Sequence, residues 1–162
     1  MSPSWRPDDS FLDREGSNLK GVTRVKDALK KRGVRGGRRV LTSRDKGLDT
    51  VRNDLKRDRM PKGFQQWQLP VALGPDQNVL GFVTVGAPDA VLPAHSHRVD
   101  LFRVVISGSV HYKGQELTAG DWMTVPRGTQ YELKAGPHGF IIWHWYWRSR
   151  EDEEAEADRI KS

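Results

Sequence analysis

The sequence contains no cysteine, and this absence excludes disulfide bonds, thiolate metal ligands and a thiol nucleophile. Any metal site must therefore use histidine, carboxylate or tyrosine ligands. Long apolar runs are also missing. No stretch approaches the roughly 18 apolar residues that a membrane span needs, and residues 1–13 lack the apolar segment of a secretory signal. These absences predict a soluble, cytoplasmic protein with no membrane partner.

Charge is distributed unevenly along the 162 residues of the chain. Residues 1–62 contain 18 Lys and Arg against 9 Asp and Glu, residues 63–148 contain 6 of each group, and residues 149–162 contain 3 against 6. This distribution predicts three parts. They are a basic N-terminal extension over residues 1–62, a folded domain over residues 63–148 and an acidic C-terminal tail over residues 149–162.

The basic extension has apolar residues at helical spacing in two places, which predicts short helices within residues 17–32 and 45–58. Their apolar stripes are narrow, so these helices must pack on the folded domain, a second subunit or a partner. The glycine- and arginine-rich residues 33–39 between them favour a flexible basic turn. Because no aromatic residue is interleaved with the basic ones there, we do not expect nucleic-acid binding.

The folded domain consists of short runs of β-branched and aromatic residues separated by Gly, Pro, Asp and Asn, a pattern typical of strands and turns. Many short strands with closely spaced turns favour a sandwich or a closed barrel. The fold class is therefore predicted to be mainly β. The predicted strands cover residues 66–72, 79–85, 90–95, 102–106, 109–112, 115–117, 121–125, 131–134 and 139–146.

Two motifs in this domain resemble those of the cupin superfamily. Residues 86–108 contain the pair His95 and His97 ahead of a closing glycine, and residues 120–131 resemble the second cupin motif. The resemblance implies a jelly-roll β-barrel, here with a basic, partly helical N-terminal extension. It also implies a site inside the barrel mouth, which in the family often holds a divalent metal on three His and one Glu.

The chain departs from the family pattern at two of these four ligand positions. The Glu position falls on Leu101, and the second-motif His position falls on Tyr131. His95 and His97 are two residues apart, so in an extended strand both imidazoles point to the same side and can chelate one ion. A site for Fe, Mn, Ni or Zn needs a third protein ligand.

Three residues are candidates for the third ligand. Asp100 precedes Leu101 and should face the opposite side of the strand. Tyr131 occupies a family ligand position, although a phenol more often donates a hydrogen bond. His144 lies in the alternating segment 141–147, where it shares a face with Ile142 and Tyr146. The sequence leaves open whether that face lines the barrel.

Three functional hypotheses follow. In the first, the barrel mouth binds a small organic ligand, with or without a weakly held divalent metal, through the polar residues His95, His97, Tyr131, Arg103 and Gln130 beside the apolar Leu101. In the second, a third ligand such as His144 completes a metal-dependent enzyme of the oxygenase or isomerase type. In the third, the barrel is a scaffold and the basic extension binds an acidic partner or nucleic acid. A homodimer is also expected, because residues 143–147 carry more aromatic rings than one small barrel can bury.

Overall fold

The structure is a computed structural model that describes residues 5–7, 19–34, 40–70 and 80–147. These residues form two helices, α1 (Leu19–Lys31) and α2 (Val51–Asp54), and seven strands. The strands are β1 (Phe64–Gln68), β2 (Leu80–Gly86), β3 (Val91–His95), β4 (Asp100–Tyr112), β5 (Gln115–Thr118), β6 (Trp122–Val125) and β7 (Tyr131–Trp147). The acidic tail over residues 149–162 and most of the basic turn predicted at residues 33–39 lie outside the described residues.

All of the strand pairs are antiparallel, and the two longest strands organise them. The main path of the sheet runs β1-β2-β7-β4-β5, with β3 paired to β7 and β6 paired to β4. Strand β7 thus has three partners, which are β3 near its start, β2 along residues 140–146 and β4 along most of its length. The mainly β fold class predicted from the sequence is confirmed.

Strands β4 and β7 are each longer than the sequence predicted, because the glycine-containing turns predicted at residues 107–108 and 135–137 lie inside continuous but irregular strands. Gly108 and Gly139 both have positive φ angles, and the β4–β7 register shifts next to Gly108 while the pairing continues. A side chain on Gly108 would collide with the backbone carbonyl of Gly139. A bulge uses the same glycine conformation as a turn, so the separate strands predicted at 102–106, 109–112, 131–134 and 139–146 were wrong.

The second predicted helix was also too long, since helix α2 occupies only four residues of the range 45–58. The Asp45 carboxylate accepts hydrogen bonds from the backbone N–H and the hydroxyl of Thr42, and the Asp45 N–H donates to the Thr42 carbonyl. Local side-chain bonds of this kind stabilise turns at the expense of helix. The chain therefore makes consecutive turns before Val51.

The N-terminal extension packs on the barrel, which is one of the three partners expected for its helices. Val22 of α1 joins the barrel core beside Leu80, and the Gln68 amide donates to the Gly21 carbonyl at 2.9 Å. A second small core joins α1 to the turn region and α2, and its buried members are Val25, Ala28, Leu48, Val51 and Leu55. No helix among the described residues is long and apolar enough to cross a membrane.

The barrel interior divides into an apolar half and a polar half. The apolar half contains Phe64, Val110, Leu133, Ala135 and Phe140, all buried, with the rings of Phe64 and Phe140 at 5.9 Å. The polar half contains His95, His97, Arg103, Tyr131 and His144, which are buried as well. Buried polar groups of this density are costly unless they are hydrogen-bonded, so the polar half is where a site is expected.

Candidate functional site

Three strands bring the polar half together through their pairing register. His95 at the end of β3 lies opposite Tyr131 at the start of β7, and Arg103 in β4 lies opposite His144 near the end of β7. The curvature of β7 places both of its residues in the same interior. His97 follows β3 and is buried in the same half. The sequence-predicted residues His95, His97, Arg103 and Tyr131 therefore meet in one cluster.

The Tyr131 hydroxyl is the centre of this cluster. It lies 2.9 Å from His95 Nε2, 3.0 Å from His97 Nε2 and 2.5 Å from Arg103 Nη2. The His95 ring also contacts the rings of His97 and Tyr131, with centroids 5.0 and 4.4 Å apart. A phenol oxygen with three partners is fully used as donor and acceptor.

The hydrogen bonds of this cluster determine where the protons lie. His95 Nδ1 is 2.6 Å from the Pro93 carbonyl, which only accepts, so Nδ1 carries the proton and Nε2 of the neutral ring accepts from the Tyr131 hydroxyl. The Tyr131 oxygen then accepts from Arg103 and from His97 Nε2–H. This assignment leaves His97 Nδ1 as an acceptor, and that buried atom has no hydrogen-bond partner.

Burial keeps the histidines of the polar half neutral. Burial and, to a smaller extent, the nearby positive charge of Arg103 together lower the pKa of His95 to about 4 and the pKa of His97 to about 2. Burial also holds the pKa of His144 well below its usual value and raises the pKa of Tyr131. At neutral pH the cluster therefore consists of neutral rings around one charged guanidinium.

His144 faces the barrel interior, which answers the question that the alternating sequence left open. The residue is completely buried, whereas Ile141 and Trp143 on the opposite face are partly exposed. Its ring stacks on Phe82, and its nitrogens lie 3.5 Å from the Thr84 hydroxyl and from the Gln66 amide nitrogen. His144 thus belongs to the wall of the polar half, and its hydrogen-bonding contacts are with strands β1 and β2.

The remaining sequence candidates lie around this cluster. Leu101 is buried in the apolar core, and Asp100 accepts a hydrogen bond from the Arg127 backbone N–H at 2.9 Å, so it faces the adjacent loop. Gln130 is exposed and lines an outer pocket of about 370 Å³, which it shares with His95. His95 therefore separates the interior from this outer pocket.

A small cavity of about 20 Å³ lies on the interior side of the His95 ring. Its volume suffices for about one water-sized group. The walls combine apolar side chains with converging polar groups, an arrangement common in ligand sites. The lining residues are Trp5, Pro7, Arg57, Met60, Gln66, Thr84, Leu92, His95, His97, Arg103 and Tyr146.

Sequence reasoning missed two important parts of this lining, both in the N-terminal extension. Trp5 places its ring edge on His95 with centroids 4.8 Å apart, and its indole N–H donates to the Arg59 carbonyl at 2.8 Å. Arg57 is only 4% exposed and lies over the Phe82 ring. These residues reach the cavity through tertiary packing alone, so no local sequence signal identifies them.

The arrangement does not fit a divalent cation as a resident group. Among the described residues, no three His, Asp or Glu side chains are grouped so that they could hold a metal ion. The Nε2 atoms of His95 and His97 are both engaged by the Tyr131 hydroxyl. The charge of Arg103 at the same oxygen opposes a cation, and Leu101 supplies no compensating carboxylate.

No protein-family model matches the chain, and no curated protein matches it. Similar solved structures include a Ralstonia eutropha protein of unknown function with a cupin-like fold, at 21% identity and a TM-score of 0.44 over 53% of this chain and 56% of that one. An RmlC-like cupin from Shewanella frigidimarina has 25% identity and a TM-score of 0.47 over 60% and 86%. Bacillus subtilis oxalate decarboxylase, which has Mn(II) centres, has 20% identity and a TM-score of 0.49 over 56% and 27%.

The chain thus spans only 56% of the Ralstonia protein and 27% of the oxalate decarboxylase. The antiparallel, mainly β architecture of the described residues is the fold class that the two sequence motifs imply.

Proposed function

We propose that the polar half of the barrel binds a small organic molecule, with the Tyr131 cluster as its polar anchor. The observation that carries this proposal is the Tyr131 hydroxyl held by His95, His97 and Arg103 beside a partly apolar cavity. Such a network keeps its donors and acceptors in fixed positions before a ligand arrives, which reduces the entropy lost on binding.

The sizes of the two neighbouring spaces limit how a ligand is bound. The inner cavity of about 20 Å³ accepts one small polar group, whereas the outer pocket of about 370 Å³ is large enough for the body of a small molecule. Trp5, Pro7 and His95 line both spaces. A ligand that extends from the outer pocket into the cavity must therefore displace part of residues 5–7.

A titration with a library of small polar compounds tests this proposal, and calorimetry and the total tryptophan fluorescence detect binding. We expect binding by the wild-type protein and at least tenfold weaker binding by Tyr131→Phe, which removes the central hydroxyl. Tyr112→Phe is the matched control, because Tyr112 is half-buried in β4 outside the polar half. Equal affinities of all three proteins would contradict a role for the cluster in binding.

A weakly held divalent metal at His95 and His97 is a second candidate, supported by the side-by-side arrangement of the two imidazoles. It requires the Tyr131 hydroxyl to leave both Nε2 atoms and a third ligand to approach, because His144, the third ligand considered from the sequence, is not grouped with His95 and His97 in the described structure. An enzyme of the oxygenase or isomerase type needs such a complete ligand set.

Metal titration separates this candidate from the metal-free proposal. Zn, Ni, Mn and Fe(II) are added to protein purified without a histidine tag, and elemental analysis precedes the titration. We expect weak binding that His95→Ala abolishes and Leu101→Glu strengthens, because the new carboxylate supplies charge and a ligand. A stoichiometric metal in the purified protein would replace the proposal with a metal-dependent enzyme.

We also propose that a second copy of the chain covers the outer aromatic face, defined by Phe102, Trp122, Trp143 and Trp145. The rings form a continuous series with centroid distances of 5.8 Å, 4.6 Å and 4.8 Å. Trp122 is 61% exposed, and Ile106 and Ile141 add further exposed apolar surface. Light scattering at high protein concentration should give the mass of a dimer, and Trp122→Lys should give a monomer.

A further inference from the structure

The inner cavity is positively charged. Two of its lining residues, Arg57 and Arg103, carry guanidinium groups and are each 4% exposed. Arginine remains charged in proteins, and the histidines that line the cavity are neutral. None of the lining residues in the described part of the chain is Asp or Glu. The described lining of the cavity therefore contains two guanidinium groups and no carboxylate.

Arg103 has unused hydrogen-bonding capacity at this space. Its Nη2 donates to the Tyr131 hydroxyl, whereas its Nε and Nη1 atoms are buried without a hydrogen-bond partner. Burial of a charge is costly unless a counter-ion and hydrogen bonds compensate it. The described residues supply no counter-ion to Arg103, and an anionic ligand would complete its bonds.

We propose that the ligand is an organic carboxylate whose carboxylate group enters the inner cavity and accepts hydrogen bonds from Arg103. This inference rests on the function proposed above and names the ligand class for the same site. Hydrogen bonds between a guanidinium and a carboxylate are charge-assisted and roughly twice as strong as neutral ones.

The size of the cavity favours a carboxylate over a larger anion. At about 20 Å³ the space matches one small group, and a planar carboxylate with two oxygens is smaller than tetrahedral phosphate or sulfate. The outer pocket beyond His95 then receives the organic part of the ligand. The carboxylate becomes the anchor, and the body of the ligand displaces residues 5–7.

The test compares carboxylates with neutral compounds of the same shape. Acetate, butyrate and benzoate are titrated by calorimetry against acetamide, butyramide and benzamide, with inorganic phosphate as a further anion. We expect the carboxylates to bind at least tenfold more tightly than the amides. Arg103→Met should remove this preference, and Arg127→Met, which removes an exposed arginine, should keep it. Circular dichroism confirms that each variant is folded.

The outcomes separate this inference from the function on which it rests. Amides that bind as tightly as carboxylates, or an Arg103→Met variant with unchanged preference, would overturn the carboxylate assignment and leave small-molecule binding intact. Phosphate that binds more tightly than every carboxylate would also overturn it. If no carboxylate and no amide binds, and no compound of the wider library binds either, the proposed function itself is overturned.

Discussion

The apolar and polar halves of the barrel interior are built by the same two long strands, yet they serve different purposes. Strand β4 contributes Val110 to the apolar half and Arg103 to the polar half, and β7 contributes Phe140 and His144 in the same way. Only the identity of the inward-facing residues changes along each strand. The comparison indicates that the apolar half stabilises the fold, whereas the polar half lowers the stability and forms the candidate site.

The largest expected effect comes from the apolar half. Phe140→Ala removes a buried ring that packs on Phe64, and such truncations cost about 3–5 kcal/mol because they lose apolar burial and leave a cavity. Urea denaturation measures the change. Phe102→Ala on the partly exposed outer face is the control and should cost clearly less. A cost for Phe140→Ala no larger than that of the control would remove the distinction between the halves.

Acid should destabilise the protein through the polar half. The unfolded chain binds protons at the histidines below about pH 6.5, but folded His95 resists protonation to about pH 4 and folded His97 to about pH 2. The unfolded state therefore binds more protons, and stability falls as the pH drops from 6.5 towards 4. Each buried histidine contributes up to about 1.4 kcal/mol per pH unit.

Denaturation at several pH values checks this expectation. The double variant His111→Gln/His138→Gln should show the same dependence of the unfolding free energy on pH as the wild type, because neither residue is buried. His144→Gln should take up about one proton fewer on unfolding, which makes this dependence weaker. If the pH dependence of stability disappears in the His111→Gln/His138→Gln variant, the acid sensitivity comes from these two surface histidines.

Tyr131→Phe should have a smaller effect on stability. Loss of the hydroxyl leaves His95, His97 and Arg103 without their shared partner, and unsatisfied buried groups cost about 1–3 kcal/mol. Tyr112→Phe serves as the control in thermal and urea denaturation. A variant as stable as the control would mean that water replaces the hydroxyl in the network.

Arg103→Met should have the smallest effect on stability, or even raise it. The substitution removes a buried charge for which the described residues supply no counter-ion, and replacing buried charges by apolar groups is often neutral or stabilising. The same variant should lose carboxylate binding. Destabilisation by more than about 2 kcal/mol would identify Arg103 as a structural residue and weaken the contrast between the halves.

The sequence predicted the mainly β fold and the residues that meet in the buried polar cluster, because both depend on local patterns. Alternating runs indicated the strands, and the two motifs placed His95, His97 and Tyr131 in one barrel mouth. The inward face of His144 could not be read, because both faces of residues 141–147 carry large side chains. The lengths of β4 and β7 were missed, since the glycines at residues 107–108 and 135–137 suit a turn and a bulge equally.

Arg57 and Trp5 illustrate a different limit. Both belong to the extension, which the change in composition separated from the barrel, and they reach the cavity across long sequence separations. The hydrogen bond from Trp5 to Arg59 holds one part of the extension on another beside the barrel mouth. Such contacts follow from packing in three dimensions, and no spacing rule in the sequence indicates them.

The contact of Trp5 with His95 couples the binding of the proposed ligand to the displacement of residues 5–7. A ligand larger than one water-sized group competes with residues 5–7 for the same volume, so it binds only those molecules in which this segment has moved away. The apparent dissociation constant is then the intrinsic constant divided by the fraction of open molecules. A substitution such as Trp5→Ala, far from the barrel in sequence, would tighten binding without adding a single contact to the ligand.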